Sequence, residues 1–338
     1  MHALKALAVC GCLLVSGLCD TIYAQAIRDE KPSLAQPTIP TIPVKTGPPT
    51  EIHADLPGKP ETVLNGVWAT QAQCDAISQA VWAQVQSHSA CIRYFPAGFG
   101  ASALVGKRRA VAYFTGDVYD GRRVVPEYAT LTASRLQATA EEWAQTAGLP
   151  LTIVGRPGIL GSSGDHMERR RKPESLLMSA ALDVLGQRLD VQEWVLLGYS
   201  GGGHVVTSLL TYRQDVVCAV PTASVASPRL RAELRNWALD ATGYSDSYEP
   251  LDFMRAESMH PQLRVIVVGD PQDKNGVWPA QTVLADKLRS IGVAVDVVEV
   301  KGTGPLRHGG QGGAGRLVAS WCGHDLSFED IQRKAAAL

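Results

Sequence analysis

The feature that most constrains the fold is an alternation of short runs rich in β-branched residues with longer helix-like stretches. It predicts a mostly parallel sheet with helices on both faces, because parallel strands are joined by helical crossovers. We predict one α/β domain with about eight strands, at 92–95, 101–105, 109–114, 151–154, 194–197, 216–220, 263–268 and 293–300. The predicted helices cover roughly 128–147, 174–189, 202–212 and 280–291.

The first 26 residues have the features of an export signal. Lys5 supplies a positive start, an apolar run follows to about Leu18, and Ala24-Gln25-Ala26 is a small-residue cleavage site. The apolar run is too short to span a bilayer. We therefore expect a periplasmic or secreted protein whose mature chain begins near Ile27.

The distribution of prolines and the net charge indicate how the rest of the chain is organised and which partners are not expected. Residues 27–65 hold eight of the twenty prolines and few large apolar side chains, which predicts an extended tether or wrapping arm before a domain at 66–338. About forty residues between two predicted strands, roughly 221–262, form an insertion that we interpret as a small lid over the carboxyl ends of the strands. The formal net charge of -1 gives no reason to expect a nucleic-acid or membrane partner, and no later stretch could span a membrane.

Four cysteines remain after the signal, an even number in a chain bound for an oxidising compartment. We favour the pairs Cys74–Cys91 and Cys218–Cys322, with four free thiols as the alternative. The first pair would close a loop around a helix-like stretch at 75–86. No Cys-x-x-Cys or histidine cluster accompanies them, so we expect no metal. The Gly-x-Gly-x-x-Gly at 310–315 lacks a preceding strand and a following acid, so we expect no nucleotide and no other cofactor.

The segment 195–203 reads as a buried strand, a glycine-rich turn around Ser200 and the start of a helix. Such a turn exposes a serine hydroxyl to a base and to a substrate carbonyl, and glycines two before and two after the serine leave room for it. The helix would aim its N-terminus at the serine, so the Gly201 N–H can stabilise an oxyanion. Ser200 is therefore the candidate nucleophile.

Residues from about 109 to 322 resemble the α/β-hydrolase superfamily, most of all its bacterial exported esterases and the catalytic domains of the prolyl oligopeptidase and dienelactone hydrolase groups. The resemblance implies an α/β-hydrolase fold and the chain order nucleophile, acid, histidine. The acid should follow the next-to-last strand, where Asp270 and Asp273 are both candidates. We favour Asp273, since Asp270 directly follows the glycine and is suited to cap the turn.

The histidine should follow the last strand, where His308-Gly309 matches the superfamily's loop. His324 is the rival candidate, but it lies beyond another helix-like stretch. His204 comes one turn after the nucleophile and is expected to be packed there.

A second oxyanion donor should come from the loop after the early strand, at 114–117. We assign it to the backbone N–H of Asp117, with Val118 as the alternative. The stretch 156–164 resembles the superfamily's Arg-Pro-Gly loop, for which we expect a structural role. The charge run 168–172 is expected to be solvated, with an anion-recognition patch as the alternative.

These residues predict a serine hydrolase that cleaves small-molecule carboxylic esters through an acyl-enzyme. A serine peptidase acting on short peptides is the alternative. Its relatives usually carry a large second domain, for which this chain has no room. A non-catalytic binding protein on the same fold is a third possibility, which the ordered set of serine, acid and histidine disfavours.

Overall fold

An eight-stranded sheet runs through the computed structural model, which describes residues 36–100, 108–120 and 122–338. The export signal at 1–26 and the strand expected at 101–105 lie outside the described residues. The described strands, in chain order, are β1 (Thr50–Glu51), β2 (Val67–Trp68), β3 (Ala80–Val85), β4 (His88–Ala97), β5 (Arg109–Phe114), β6 (Tyr119–Asp120), β7 (Arg123–Val124), β8 (Leu151–Val154), β9 (Glu193–Tyr199), β10 (Val216–Thr222), β11 (Arg264–Gly269) and β12 (Ala294–Glu299).

The described helices are α1 (Pro60–Asn65), α2 (Gln71–Asp75), α3 (Ala133–Ala147), α4 (Lys172–Leu189), α5 (Gly201–Leu209), α6 (Pro228–Leu234), α7 (Trp278–Ser290), α8 (Gln311–Gly323) and α9 (Phe328–Ala335). The strand order in the main sheet is β12-β11-β10-β9-β5-β8-β4-β3. In this order, each strand from β12 through β5 to β8 pairs in parallel with the next. Strand β4 is antiparallel to both β8 and β3. The mostly parallel sheet that the sequence predicts is therefore confirmed.

Helices cover both faces of this sheet because successive strand residues point to opposite sides. In β9, Trp194 and Leu196 belong to a core shared with α4, α5 and α7, whereas Val195 and Leu197 belong to a second core shared with α3, α8 and α9. The near-continuous apolar strands thus reflect burial on both faces.

The helix-like reading of 75–86 is wrong. Helix α2 ends at Asp75, and the chain then forms β3, which pairs residue by residue with β4 from Ala80↔Arg93 to Val85↔His88. Short apolar runs do not distinguish a strand from a helix without their tertiary partner. The first strand of the main sheet is therefore β3, which the sequence analysis missed.

Both favoured disulfides are confirmed. Cys74 and Cys91 are bonded with a Cα–Cα distance of 5.5 Å, and Cys218 and Cys322 with one of 6.3 Å. The first ties α2 to β4, and the second ties β10 to α8. Cross-links of this kind restrict the unfolded chain and thereby stabilise the folded state.

Residues 38–338 form one compact unit, to which most of the proline-rich segment belongs. Within it, Thr38 exchanges backbone hydrogen bonds with Asn236 and Ala238 of the insertion. The insertion between β10 and β11 contains α6 and two 3₁₀ turns, Pro250–Asp252 and Ala256–Ser258. That it acts as a lid stays a prediction. In the described part of the chain, no helix has the length and apolar character needed to cross a membrane.

Candidate active site

Ser200 occupies a sharp turn between β9 and α5. Its backbone has φ 53° and ψ -116°, a conformation that non-glycine residues rarely adopt and that costs on the order of 1–3 kcal/mol. The Ser200 N–H is held by the carbonyl of Thr222 at 2.9 Å. Strain of this kind presents the side chain at the carboxyl end of the sheet.

Glycines flank this turn because the backbone approaches itself too closely for a side chain. A Cβ on Gly198 would lie 2.2 Å from the carbonyl oxygen of Gly202, and one on Gly202 would lie 2.1 Å from that of Phe114. The Gly-x-Ser-x-Gly spacing is thus required sterically. It also brings the first turn of α5 against the end of β5.

The three residues predicted for catalysis, Ser200, His308 and Asp273, are hydrogen-bonded in series. Nε2 of His308 lies 3.0 Å from Oγ of Ser200, and Nδ1 of His308 lies 2.8 Å from Oδ2 of Asp273. Asp273 is fully buried at its side chain, and His308 is 14% exposed. The hydroxyl, imidazole and carboxylate therefore form one continuous hydrogen-bonded chain.

Residues 270–276, which we call the acid turn, hold the Asp273 carboxylate in a fixed orientation. The N–H groups of Asn275 and Gly276 donate to Oδ1 at 2.8 and 2.9 Å. The amides of Gln281 and Gln311 each donate to Oδ2 at 3.2 Å. Burial by itself would raise the pKa of Asp273, but the His308 hydrogen bond and these N–H groups lower it below its ordinary value. The carboxylate therefore stays ionised beside the imidazole.

Asp270 has a different position. Its Oδ2 accepts the N–H of Gly302 at 2.7 Å and Nε of Arg307 at 2.8 Å. Burial would raise the pKa of Asp270, but Arg307 and the neighbouring N–H groups lower it. Asp270 thus anchors the loop that carries His308, while Asp273 contacts the imidazole itself.

The loop before α8 orients the imidazole from its other side. The hydroxyl of Tyr199 donates to the carbonyl of His308 at 2.7 Å, and the two rings lie 5.4 Å apart. The Gln311 amide reaches the same carbonyl at 3.2 Å. Sequence reasoning missed Gln311, although its place three residues after His308, at the first position of a helix, is a usable signal.

The two other histidines considered from the sequence, His204 and His324, are not part of this hydrogen-bonded chain. Nε2 of His324 donates a hydrogen bond to the carbonyl of Ala147, 2.9 Å away at the end of α3. His204 is buried in α5 with Nε2 2.9 Å from the Tyr248 carbonyl, and burial lowers its pKa to about 4. Neither contacts Ser200.

The two predicted oxyanion donors lie beside the nucleophile. Gly201 is the first residue of α5, where the helix dipole favours negative charge. A Cβ on Gly116 would lie 3.2 Å from the Ser200 Cβ, so the loop at 115–118 touches the serine. A Cβ on Gly201 would lie 2.1 Å from Oδ1 of Asp117, so this loop also contacts the helix start.

The Asp117 carboxylate is surrounded by buried arginines. Nη1 of Arg156 donates to Oδ1 at 2.9 Å and Nε of Arg169 to Oδ2 at 3.0 Å, and Arg170 also donates to Oδ2. Burial would raise the pKa of Asp117, but these cations hold it well below its ordinary value. Glu174 pairs with Arg156 and Asp240 with Arg170. We call these residues the arginine cluster; its members are Asp117, Arg156, Arg169, Arg170, Glu174 and Asp240.

The expectation that the charge run at 168–172 is solvated is thus wrong for two of its members. Arg169 and Arg170 are 4% and 0% exposed, because both neutralise the Asp117 carboxylate. Arg171 alone among the three arginines keeps an exposed partner, Asp246. Neither buried guanidinium therefore belongs to a solvated patch.

Replacing Asp117 with Ala should lower the free energy of unfolding by about 3–5 kcal/mol, the range for breaking a buried ion pair. The change removes the carboxylate that pairs with Arg169, while Arg170 keeps Asp240 and Arg156 keeps Glu174. Because the folded-state pKa of Asp117 is lowered, its stabilisation is complete above the unfolded-state pKa of about 3.9 and is lost as the pH falls through the folded-state value. Urea denaturation followed by tryptophan fluorescence measures the difference.

The matched control is Asp246→Ala, which removes an exposed carboxylate from Arg171 in the same region. Exposed ion pairs contribute little, so this variant should unfold close to the wild-type urea concentration. Equal losses in the two variants would contradict the role of the arginine cluster.

Comparisons with known proteins identify the fold. No protein-family model matches the sequence, and no curated protein sequence matches it. The solved structure of acylaminoacyl peptidase from Pyrococcus horikoshii is similar with a TM-score of 0.51, at 12% identity over 75% of this chain and 43% of the peptidase. Est1E from Butyrivibrio proteoclasticus gives 0.48 at 11% identity over 77% of this chain and 100% of its own.

Prolyl oligopeptidase B from Galerina marginata gives a TM-score of 0.47 at 13% identity, over 74% of this chain and 37% of its own. The chain therefore spans less than half the length of the two peptidases named here. At these identities the similarity shows the fold alone. With its sheet order and helical layers, this chain has the α/β-hydrolase fold.

Proposed function

We propose that this protein is a serine hydrolase that cleaves carboxylic esters through an acyl-enzyme on Ser200. The observation that carries the proposal is the hydrogen-bonded chain from Ser200 through His308 to Asp273, with distances of 3.0 and 2.8 Å. A hydroxyl within reach of an imidazole, itself oriented by a carboxylate, is the arrangement that activates serine as a nucleophile.

In the first half of the reaction, Oγ of Ser200 attacks the ester carbonyl while Nε2 of His308 takes its proton. Asp273 accepts the Nδ1–H of His308, which fixes the tautomer and stabilises the imidazolium. The imidazolium then donates its proton to the departing alkoxide. The products of this half are the free alcohol and an ester between the substrate's acyl group and Ser200.

Negative charge develops on the carbonyl oxygen during the attack. We assign its stabilisation to the backbone N–H groups of Gly201, at the start of α5, and of Asp117, in the loop after β5. The helix dipole of α5 acts in the same direction. Water then enters, loses a proton to His308 and attacks the acyl-enzyme, which releases the acid and restores Ser200.

The ester assignment is tested by pre-steady-state kinetics on p-nitrophenyl butyrate. Wild-type protein should release a burst of about one p-nitrophenol per active site before the steady rate, the signature of an accumulating acyl-enzyme. Matched p-nitroanilides of short peptides are the control, and they should react much more slowly because an amine is a poorer leaving group. Faster hydrolysis of the anilides would favour a peptidase, and no hydrolysis of either would contradict the proposal.

We also propose that the protein is exported to the periplasm or secreted. The two disulfides support this, because such bonds persist in oxidising compartments. The predicted signal at 1–26, the tether at 27–65 and the domain boundary at 66 remain predictions. In the described part of the chain, no group of histidine, cysteine and carboxylate side chains is arranged to hold a metal ion.

A further inference from the structure

Helix α6 and the residues after it carry two arginines that have no carboxylate partner. Arg231 is 6% exposed and donates to the carbonyl and side-chain oxygens of Asn275 at 2.9 and 2.6 Å. Arg235 donates to the carbonyl of Lys274. Both guanidiniums lie over the ring of Trp237, at 5.2 and 4.3 Å from its centroid. Within the described residues, neither makes an ion pair with a carboxylate.

The neighbouring charges do not supply the missing anion. In the arginine cluster three guanidiniums already face three carboxylates, so the cluster is neutral as a whole. Asp273 attracts Arg235, but both its oxygens are occupied by other hydrogen bonds. Burial and the nearby cation of Arg170 lower the pKa of Arg231 to about 10. With the ionised Asp273 counted, the two guanidiniums leave one positive charge in excess at this place.

Both guanidiniums are hydrogen-bonded to the acid turn, which carries Asp273. Arg231 is hydrogen-bonded to Asn275 of the acid turn; besides burial, the charge of Arg170 in the arginine cluster lowers its pKa, and that of Asp240 raises it. The acid turn and the Asp117 loop are the two segments that flank Ser200, through His308 and through Gly201 respectively.

A buried guanidinium without a counter-charge is costly, and the cost falls when an anion pairs with it. The planar, forked guanidinium matches a carboxylate in a bidentate geometry. A substrate anion could therefore compensate charges that the protein leaves unpaired. Perturbed charges of this kind beside a reactive group are typical of binding sites.

We propose that the ester substrate carries a carboxylate, which pairs with Arg231 and Arg235 while the ester carbonyl reaches Ser200. The proposal rests on the serine hydrolase function given above and names its substrate class. Both guanidiniums lie over the ring of Trp237, and in this proposal the carboxylate pairs with both. A neutral ester of the same size lacks this interaction.

The test compares pairs of esters of which one member carries a carboxylate and the other is neutral. On the acyl side, mono-p-nitrophenyl adipate is compared with methyl p-nitrophenyl adipate; on the alcohol side, 3-carboxy-4-nitrophenyl butyrate is compared with 4-nitrophenyl butyrate. Uncatalysed rates are subtracted. Wild-type kcat/KM should favour the anionic ester of at least one pair by about 10- to 100-fold, the value of one charge-assisted hydrogen bond or more.

In Arg231→Gln and in Arg235→Gln this ratio should fall toward one. A merely structural role of Arg231 in holding Asn275 would lower both rates by the same factor and leave the ratio unchanged, which would overturn the proposal. The matched control is Arg229→Gln, an exposed arginine of α6 paired with Asp252, and its ratio should equal that of the wild type. Labelling by a neutral fluorophosphonate verifies that each variant is folded.

The outcomes separate the two proposals. If wild-type protein hydrolyses both members of each pair and the ratio of kcat/KM, anionic over neutral ester, is near one or below, the carboxylate proposal fails. The serine hydrolase proposal then still stands. If neither ester of any pair is hydrolysed and the fluorophosphonate does not react, the hydrolase function fails and the carboxylate proposal with it. If Arg231→Gln does not fold, Arg235→Gln decides by the same ratio.

Discussion

Replacing Ser200 with Ala should abolish labelling by a fluorophosphonate and lower kcat for p-nitrophenyl butyrate by at least about 10⁴-fold. The hydroxyl is the group that forms the covalent bond in both reactions, and no other hydroxyl in the described structure is hydrogen-bonded to the imidazole of His308. Intact-protein mass spectrometry shows the label as one added phosphonyl group. Peptide mapping should place that group on Ser200.

A neighbouring serine provides the matched control. Ser224 is fully buried, lies against Gly203 in the same helix start, and has a hydroxyl without a hydrogen-bond partner among the described residues. Ser224→Ala removes a serine from the same region and should keep full labelling and nearly full activity. Equal labelling of Ser200→Ala and wild-type protein would exclude Ser200 as the nucleophile.

The turn around Ser200 was predictable because its signal is local. A strand, a sharp turn and a helix follow one another within 193–209, and each leaves its own pattern in the sequence. The steric need for Gly198 and Gly202 arises from contacts within that stretch and with the end of β5. Short-range structure of this kind is what periodicity and turn residues encode.

The arginine cluster was not predictable in the same way. Arg169 and Arg170 stand in a run of charges that resembles a solvated loop, and their partner Asp117 is about fifty residues earlier in the chain. Charge patterns indicate burial only when the partner is known, because a buried charge needs a counter-charge. The missed strand β3 has the same cause, since its identity depends on pairing with β4.

The choice between Asp270 and Asp273 is an intermediate case. The two carboxylates are three residues apart in one turn, and the resemblance to the α/β hydrolases allows either. Each accepts N–H groups of its own turn, Gln272 in one case and Asn275 in the other. Only the path of the distant loop at 302–308 separates them, because it brings Arg307 to one and His308 to the other.

Replacing Asp273 with Asn should therefore lower kcat for p-nitrophenyl butyrate by about 10⁴-fold, the effect expected when the imidazole loses its orienting carboxylate. An amide at this place can present its NH₂ group to Nδ1 of His308, which favours the wrong tautomer and removes the charge that stabilises the imidazolium. Substrate binding does not involve the buried carboxylate, so KM should change little. Steady-state kinetics at several pH values measure both quantities.

Asp270→Asn is the control that makes this result specific. Its side-chain oxygen can still accept the N–H of Gly302, while the ion pair with Arg307 is lost. The histidine loop should loosen, so kcat should fall by far less than in Asp273→Asn. Circular dichroism and urea denaturation confirm that both variants are folded. A larger loss in Asp270→Asn than in Asp273→Asn would reverse the assignment, since a change of one atom at the true orienting acid must act directly on His308.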